Sequence, residues 1–101
     1  MQINNQSDIK SLLLDTLEIK RGRSMFLSSE SEQTRNLLYN AGLSEAQVNG
    51  EVPIRKRQLI KALYTLYISC AQVWPKPVHN KQERIRASFR VAHTLSLLLG
   101  N

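Results

Sequence analysis

Apolar residues recur at three- and four-residue spacing along most of the chain, and no strict apolar–polar alternation of strand length persists. This periodicity predicts helices rather than strands. A chain of 101 residues can enclose one hydrophobic core but not two. We therefore predict a single all-α domain covering residues 1–101, a compact bundle of four main helices and a short connecting helix.

Capping residues and helix breakers give approximate helix boundaries. Ser7 or Asp8 can cap the first helix, and Ser28 or Ser29 the second. The expected spans are about 8–20, 29–41, 53–74 and 80–99, with one or two further turns before residue 50. Glycine supplies the stops after the first and second helices, at positions 22 and 42. Proline suits the first position of the third main helix, at 53, and ends that helix at 75 and 77.

The two longest helices each show an apolar face. On the third main helix the expected core face consists of Ile60, Leu63, Tyr64, Tyr67 and Ala71. On the last helix it consists of Ile85, Phe89, Ala92, Leu95 and Leu99. The sequence leaves open whether Trp74, at a helix end beside a proline, packs in the domain or contacts a ligand.

The basic residues are unevenly distributed. The net charge is +6, but residues 1–50 carry five Lys/Arg and six Asp/Glu, whereas residues 51–101 carry nine Lys/Arg and two Asp/Glu. The halves therefore differ, at −1 and +7. Such asymmetry predicts a polyanionic partner, and we expect nucleic acid, DNA or RNA. The chain shows no signal peptide or membrane span, and its single cysteine, Cys70, suits a reducing compartment, so we expect a cytoplasmic protein that does not bind membranes.

Cations at the start of the third main helix oppose the helix dipole, which is positive at that end. Local helix stability therefore does not explain them, and we expect them to contact the phosphate groups of a partner. If the last two helices pack antiparallel, their cations form an extended basic strip. The predicted nucleic-acid contacts are Arg55, Arg57, Lys61, Lys76, Lys81, Arg84, Arg86 and Arg90, with Lys20, Arg21 and Arg23 as a possible loop clamp.

Two other functions are compatible with the sequence. The segment AGLSEAQV resembles the turn of a helix-turn-helix regulator, which would read DNA near Gln47 or Asn49, but Gly50 and Pro53 interrupt its second helix. Alternatively, the basic half docks on an acidic protein surface, as in an adaptor or inhibitor. Enzyme activity is not expected. His79 and His93 lack metal-ligand spacing, and no nucleotide-binding motif is present, so we expect no metal, cofactor or small-molecule substrate.

The stretches PIRKRQLIKALYTLY and NKQERIRASFR, in a small basic chain, resemble the small subunit of CRISPR Cascade effector complexes. The resemblance covers overall architecture and involves mainly residues 53–99. It implies several copies lining the inner belly of a ribonucleoprotein arch. There, lysines and arginines hold target or displaced-strand DNA while the guide RNA reads sequence. It also implies that the cations predicted above on the last two helices contact phosphates, and that the first half faces protein neighbours.

Overall fold

The structure, a computed structural model, describes residues 6–71 and 81–100. It contains five helices and a β-hairpin. In chain order these are α1 (Gln6–Thr16), β1 (Leu17–Arg21), β2 (Met25–Ser29), α2 (Glu32–Asn40), α3 (Glu45–Val48), α4 (Lys56–Ala71) and α5 (Lys81–Leu98). The helices follow the predicted order, with α3 as the short one. The expected ends of the third main helix at Trp74 and the prolines lie outside the described residues.

The prediction of an all-α fold is wrong, because β1 and β2 form a two-stranded antiparallel sheet. Their register pairs Leu17 with Ser29 at the open end and Arg21 with Met25 beside the turn. Leu17 lies four residues after Leu13, so it fits a helical spacing as well as the start of a strand. The alternation in LEIKR covers too few residues to distinguish a strand from a helix. These residues form a strand because they pair with β2.

The hairpin also shifts the neighbouring helix boundaries. Helix α1 ends at Thr16 instead of near residue 20, because the next five residues pair with β2. Ser28 and Ser29 belong to β2 and cap no helix. The N-cap of α2 is Ser31, whose Oγ accepts a hydrogen bond from the Thr34 N–H at 3.2 Å.

Two further boundaries can be compared with the prediction. Gly42 follows the end of α2 with a φ of +103°, and the backbone bonds from residues 42 and 43 complete a glycine-terminated helix end, so this prediction is confirmed. Pro53, by contrast, lies outside α4. The next residue, Ile54, donates its N–H to the Met25 carbonyl oxygen at 2.9 Å, and this bridge to the hairpin delays the start of α4 until Lys56.

The core joins all five helices and the hairpin, with Leu38 of α2 and Val48 of α3 among its buried members. Its largest fully buried side chain is Tyr67 of α4, whose hydroxyl forms a 2.7 Å hydrogen bond with the buried Thr94 hydroxyl of α5. Burial raises the pKa of Tyr67, while the hydrogen bond with Thr94 and the charge of Arg90 act in the opposite direction. The buried hydroxyl pair therefore links α4 to α5.

The expected core faces of α4 and α5 are partly wrong. Leu63 and Tyr67 of α4 and Leu95 of α5 are buried, but four expected members are exposed: Ile60, Ile85, Phe89 and Ala92. Besides Leu95, helix α5 buries Ala87, Val91 and Thr94, which were not in the expected face. Two apolar stripes on α5 have helical spacing, and the stripe with smaller residues faces α4, where the hydrogen bond to Tyr67 also forms. None of the helices in the described part of the chain is long and apolar enough to cross a lipid bilayer.

Candidate nucleic-acid interface

The hairpin brings its turn next to the beginning of α4. The bridge between Met25 and Ile54 fixes this arrangement, because Met25 is the first residue after the turn and Ile54 lies two residues before α4. Arg23, in the turn, and Arg55 are consequently close neighbours in the fold although 32 positions separate them in the chain. The predicted loop clamp is thus part of a β-hairpin that reaches the start of α4.

The end of α5 also lies beside the turn of the hairpin. The Arg21 guanidinium donates a hydrogen bond from Nη1 to the carbonyl oxygen of Leu99 at 3.1 Å, just past the end of α5. Carbonyl groups at a helix end lack partners within the helix and carry partial negative charge, so a guanidinium there is favourable. The start of α4 therefore lies near the end of α5, as expected for antiparallel neighbours.

We call the surface formed at this junction the basic end. It comprises Arg21, Arg23, Arg55, Lys56 and Arg57. All five residues are exposed, and none makes an ion pair with any described residue. Helix α4 has no acidic residue in its first turn. Concentrated, unpaired positive charge of this kind attracts a polyanion.

The N-terminus of α4 is stabilised by a neutral group instead of an acid. The backbone N–H of Arg55 donates to the side-chain Oε1 of Gln58 at 2.9 Å. This bond satisfies one of the N–H groups that the helix leaves unpaired at its start. The cations do not stabilise the N-terminus of α4, because the helix dipole is positive at that end and repels them.

Lys61 and Lys20 are neighbours of the basic end in the chain, but neither belongs to it. Lys61 follows Arg57 by one helical turn on the exposed side of α4, and both line the same groove between α4 and α5. Lys20 pairs with Phe26 in the hairpin and is exposed. Since successive side chains of a strand point to opposite faces, Lys20 and Arg21 extend from opposite faces of the hairpin.

The predicted cations of α5 form a separate group. Lys81, Arg84 and Arg86 are exposed, and an ion pair of 3.7 Å joins Arg86 to Glu83. Arg84 and Arg86 are two residues apart, which places them about 200° apart around the helix and on opposite flanks. The half-buried Arg90 donates from Nη1 to the Ser7 hydroxyl at 3.2 Å and thus contacts α1. Lys76, which also belongs to the predicted set, lies outside the described residues.

Acidic side chains collect at the opposite end of the hairpin. β1 starts and β2 ends at this open end, where Leu17 pairs with Ser29. The exposed acids here are Asp15, Glu18, Glu30 and Glu32. The hairpin therefore separates charges that the sequence mixes within residues 1–50.

The helix-turn-helix segment has a defined geometry of its own. Helix α3 has four residues, one turn, whereas a recognition helix needs two to three turns to enter the major groove. Gln47 is already engaged, because it forms a capping box with Ser44 and its Nε2 lies 3.3 Å from Oε1 of Gln58. Asn49 is exposed just after the helix. This segment is poorly suited to reading bases, because α3 is short and the Gln47 side chain is already hydrogen-bonded within the protein.

Other reactive groups do not assemble into a site within the described residues. No three His, Cys, Asp or Glu side chains there are grouped as a metal ion requires. The Nζ of Lys10 lies 2.6 Å from Nδ1 of His93, and since the ammonium only donates, the imidazole accepts. His79, Trp74 and the side chain of Cys70 lie outside the described part of the chain.

Two features of this surface were missed by reasoning from the sequence. Lys56 was not among the predicted contacts, although it lies between two that were, at the mouth of the groove. The exposed apolar side chains of α5 were assigned to the core. The signal for Lys56 was its place in the IRKR run, while the exposure of Phe89 depends on which of two apolar stripes faces α4.

Comparisons with protein-family models, with curated proteins and with solved structures found no match to this chain.

Proposed function

We propose that this protein is a non-catalytic subunit that binds the sugar-phosphate backbone of nucleic acid through its basic end. The supporting observation is the convergence there of five exposed cations from two separate chain segments, the hairpin turn and the start of α4, none paired with a described acid. Like charges held together repel one another, so the arrangement lowers stability unless a polyanion is bound. Phosphate oxygens are the commonest nucleic-acid partners of arginine and lysine.

The geometry favours contact with the backbone over the reading of bases. Guanidinium and ammonium groups donate to phosphate oxygens whatever the sequence. The short α3 offers no recognition helix for a major groove. The turn, the start of α4 and the end of α5 are joined by backbone and guanidinium hydrogen bonds, so the segments that carry the cations are held together before binding.

We further propose that the protein acts in the cytoplasm as one subunit of a larger nucleoprotein complex, possessing the role implied by the resemblance to the Cascade small subunit. A small basic end supplies few phosphate contacts and hence modest affinity alone. Neighbouring subunits, including further copies of this chain, would extend the contact surface. The exposed cations of α5, Lys81, Arg84 and Arg86, are available for a second contact with nucleic acid or a protein neighbour.

The test is binding of fluorescent oligonucleotides of unrelated sequence, single- and double-stranded, DNA and RNA, measured by anisotropy. The variant Arg23→Gln, Arg55→Gln, Arg57→Gln removes three charges from the basic end. We expect its affinity to fall on every sequence alike, because the lost contacts are to phosphates, and its log–log salt slope to decrease by about two to three units.

The matched control is Lys81→Gln, Arg84→Gln, Arg86→Gln, which removes the same charge from α5. It should weaken binding less than the basic-end variant. The proposal is contradicted if wild-type protein binds none of the oligonucleotides at low salt. A basic-end variant whose loss is confined to one sequence would also contradict it.

A further inference from the structure

A groove between α4 and α5 combines an apolar floor with cationic edges. Its volume is about 600 Å³. Lys56, Arg57 and Lys61 stand along its α4 side. The apolar side chains that line it are Ile60, Tyr64, Val91, Ala92, Leu95 and Leu99.

An exposed apolar stripe on α5 continues this groove. Ile85, Phe89 and Ala92 follow one another at four- and three-residue spacing, so they share one side of the helix, and Ala92 also lines the groove. Phe89 is 72% exposed and Ile85 is 45% exposed. Ile60, across the groove on α4, is 39% exposed. Large apolar side chains exposed together and rimmed by polar residues indicate an interaction site.

Cations border this surface on both sides. We call the exposed apolar surface between these cations the apolar band, and it consists of Ile60, Tyr64, Ile85, Phe89 and Ala92. On the α4 side, Arg57 and Lys61 lie one turn apart at its edge. On the α5 side, Arg86 lies about 60° around the helix from Phe89, at the opposite edge. Glu83 is the only acid of α5, and it is paired with Arg86.

We propose that the apolar band binds an amphipathic helix of a partner protein that carries apolar residues on one face and aspartate or glutamate on both flanks. The apolar face would cover the band, and the flanking carboxylates would meet Lys61 on one side and Arg86 on the other. This is the helix-in-groove mode of recognition. The α5 side, from Ile85 to Leu99, extends about 21 Å, which matches about four turns of a bound helix.

The shape and composition of the band favour a peptide over unpaired bases. Bases stack best on flat aromatic faces, whereas the groove is concave and its floor is mainly aliphatic. Aliphatic and aromatic side chains of a helix fill such a groove by interdigitation. A nucleic-acid duplex, which presents phosphates and sugars, would leave the band exposed to water. The five residues of the apolar band are not part of the basic end, although Arg57 borders both surfaces, so the inference does not depend on nucleic-acid binding.

The test uses a labelled 15-residue synthetic peptide with leucine on one helical face and glutamate on both flanks. A peptide of the same composition, scrambled to destroy the apolar face, is the first control, and a lysine-flanked version is the second. We expect the intact protein to bind the glutamate-flanked peptide at least about tenfold more tightly than either control. Equal binding of all three peptides, or no binding of the first, would overturn the inference.

Two variants locate the binding. Phe89→Ser should weaken peptide binding about tenfold or more, because a large exposed anchor is lost, and should leave nucleic-acid affinity unchanged. Leu97→Ser is the matched control, since Leu97 is 45% exposed on another side of the same helix. It should leave peptide affinity unchanged, and circular dichroism would verify folding. If Phe89→Ser instead weakens single-stranded oligonucleotide binding and spares the peptide, the band holds bases and the inference is wrong.

Discussion

The surroundings of the two ends of the β-hairpin differ in charge, although the hairpin is only thirteen residues long. At the turn, Arg21 and Arg23 join the cations that begin α4. At the open end, the exposed side chains are the acids Asp15, Glu18, Glu30 and Glu32. The strands place these groups about 14–17 Å apart, more than the screening length of about 8–10 Å at ordinary salt.

This difference shows why a charge sum over the chain understates the basic end. Residues 1–50 have a net charge of −1. The turn cations Arg21 and Arg23 are not cancelled by the acids at the open end, because the antiparallel register separates the two groups. Arg35, whose Nη1 donates to the Ser29 carbonyl at 2.9 Å, lies at the open end instead. The turn cations therefore add to the excess of the second half. Four sets of variants test the comparison of the two ends.

The largest effect is expected from Gly50→Ala, which disturbs the middle of the hairpin. Gly50 has a φ of +77°, and an added Cβ would lie 2.6 Å from the carbonyl oxygen of Leu27 in β2. The clash and the left-handed backbone should together cost about 2–4 kcal/mol of unfolding free energy, measured in urea. Gly42→Ala is the control, since its φ is +103° but no atom lies within 4 Å, and it should cost about 1 kcal/mol. Equal losses would mean that β2 does not approach Gly50 closely.

A charge reversal at the turn end should come next. We expect Arg23→Glu with Arg55→Glu to weaken oligonucleotide binding about 30- to 100-fold, because phosphates would meet two carboxylates in place of two guanidinium groups. Arg84→Glu with Arg86→Glu changes the net charge equally at α5 and should reduce affinity far less. Anisotropy at fixed salt compares them. Equal losses would show that affinity follows net charge rather than the basic end.

At the open end we expect an effect on stability alone. The hydroxyls of Thr16 and the buried Thr34 lie 2.6 Å apart, and Thr16 also donates to the Leu12 carbonyl at 2.7 Å. Thr34→Val should lower the free energy of unfolding by about 1 kcal/mol, whereas Thr34→Ser, which keeps the hydroxyl, should retain that bond. Neither should change oligonucleotide affinity. A loss of affinity in Thr34→Val would show that the two ends are coupled.

The smallest effect is expected from the acids themselves. Glu18→Gln with Glu30→Gln removes two negative charges from the open end. Because salt screens them from the basic end, oligonucleotide affinity should rise by less than about twofold near physiological salt. A larger increase would mean that the acids repel the bound strand directly.

The helices were predictable from the sequence and the hairpin was not. Five helices in the right order follow from local spacing and from signals such as Gly42. The hairpin depends on pairing across a three-residue turn, and neither LEIKR nor MFLSS alternates long enough to reveal it. Propensity is local, whereas strand pairing and burial are decided by tertiary contacts.

For the candidate site, the sequence supplied the residues but not their grouping. Arg23 and Arg55 come together only through the Met25–Ile54 bridge, which no local pattern encodes. Arg86 and Arg90 do share a stripe, as their spacing predicts, but Arg90 turns to Ser7 of α1. Phe89 was assigned to the core because two apolar stripes on α5 have the same spacing. The stripe that contains Ala87 and Thr94 faces α4 instead, because these two side chains pack closely against that helix.

The most direct measurement of backbone binding is the salt dependence of wild-type affinity for random-sequence oligonucleotides, from about 50 to about 300 mM salt. We expect log affinity to fall linearly with log salt, with a slope steeper than about −2, which corresponds to three or more phosphate contacts. The slope should be the same for unrelated sequences. A slope near zero, or no binding at the lowest salt, would contradict the proposal that the basic end binds phosphates.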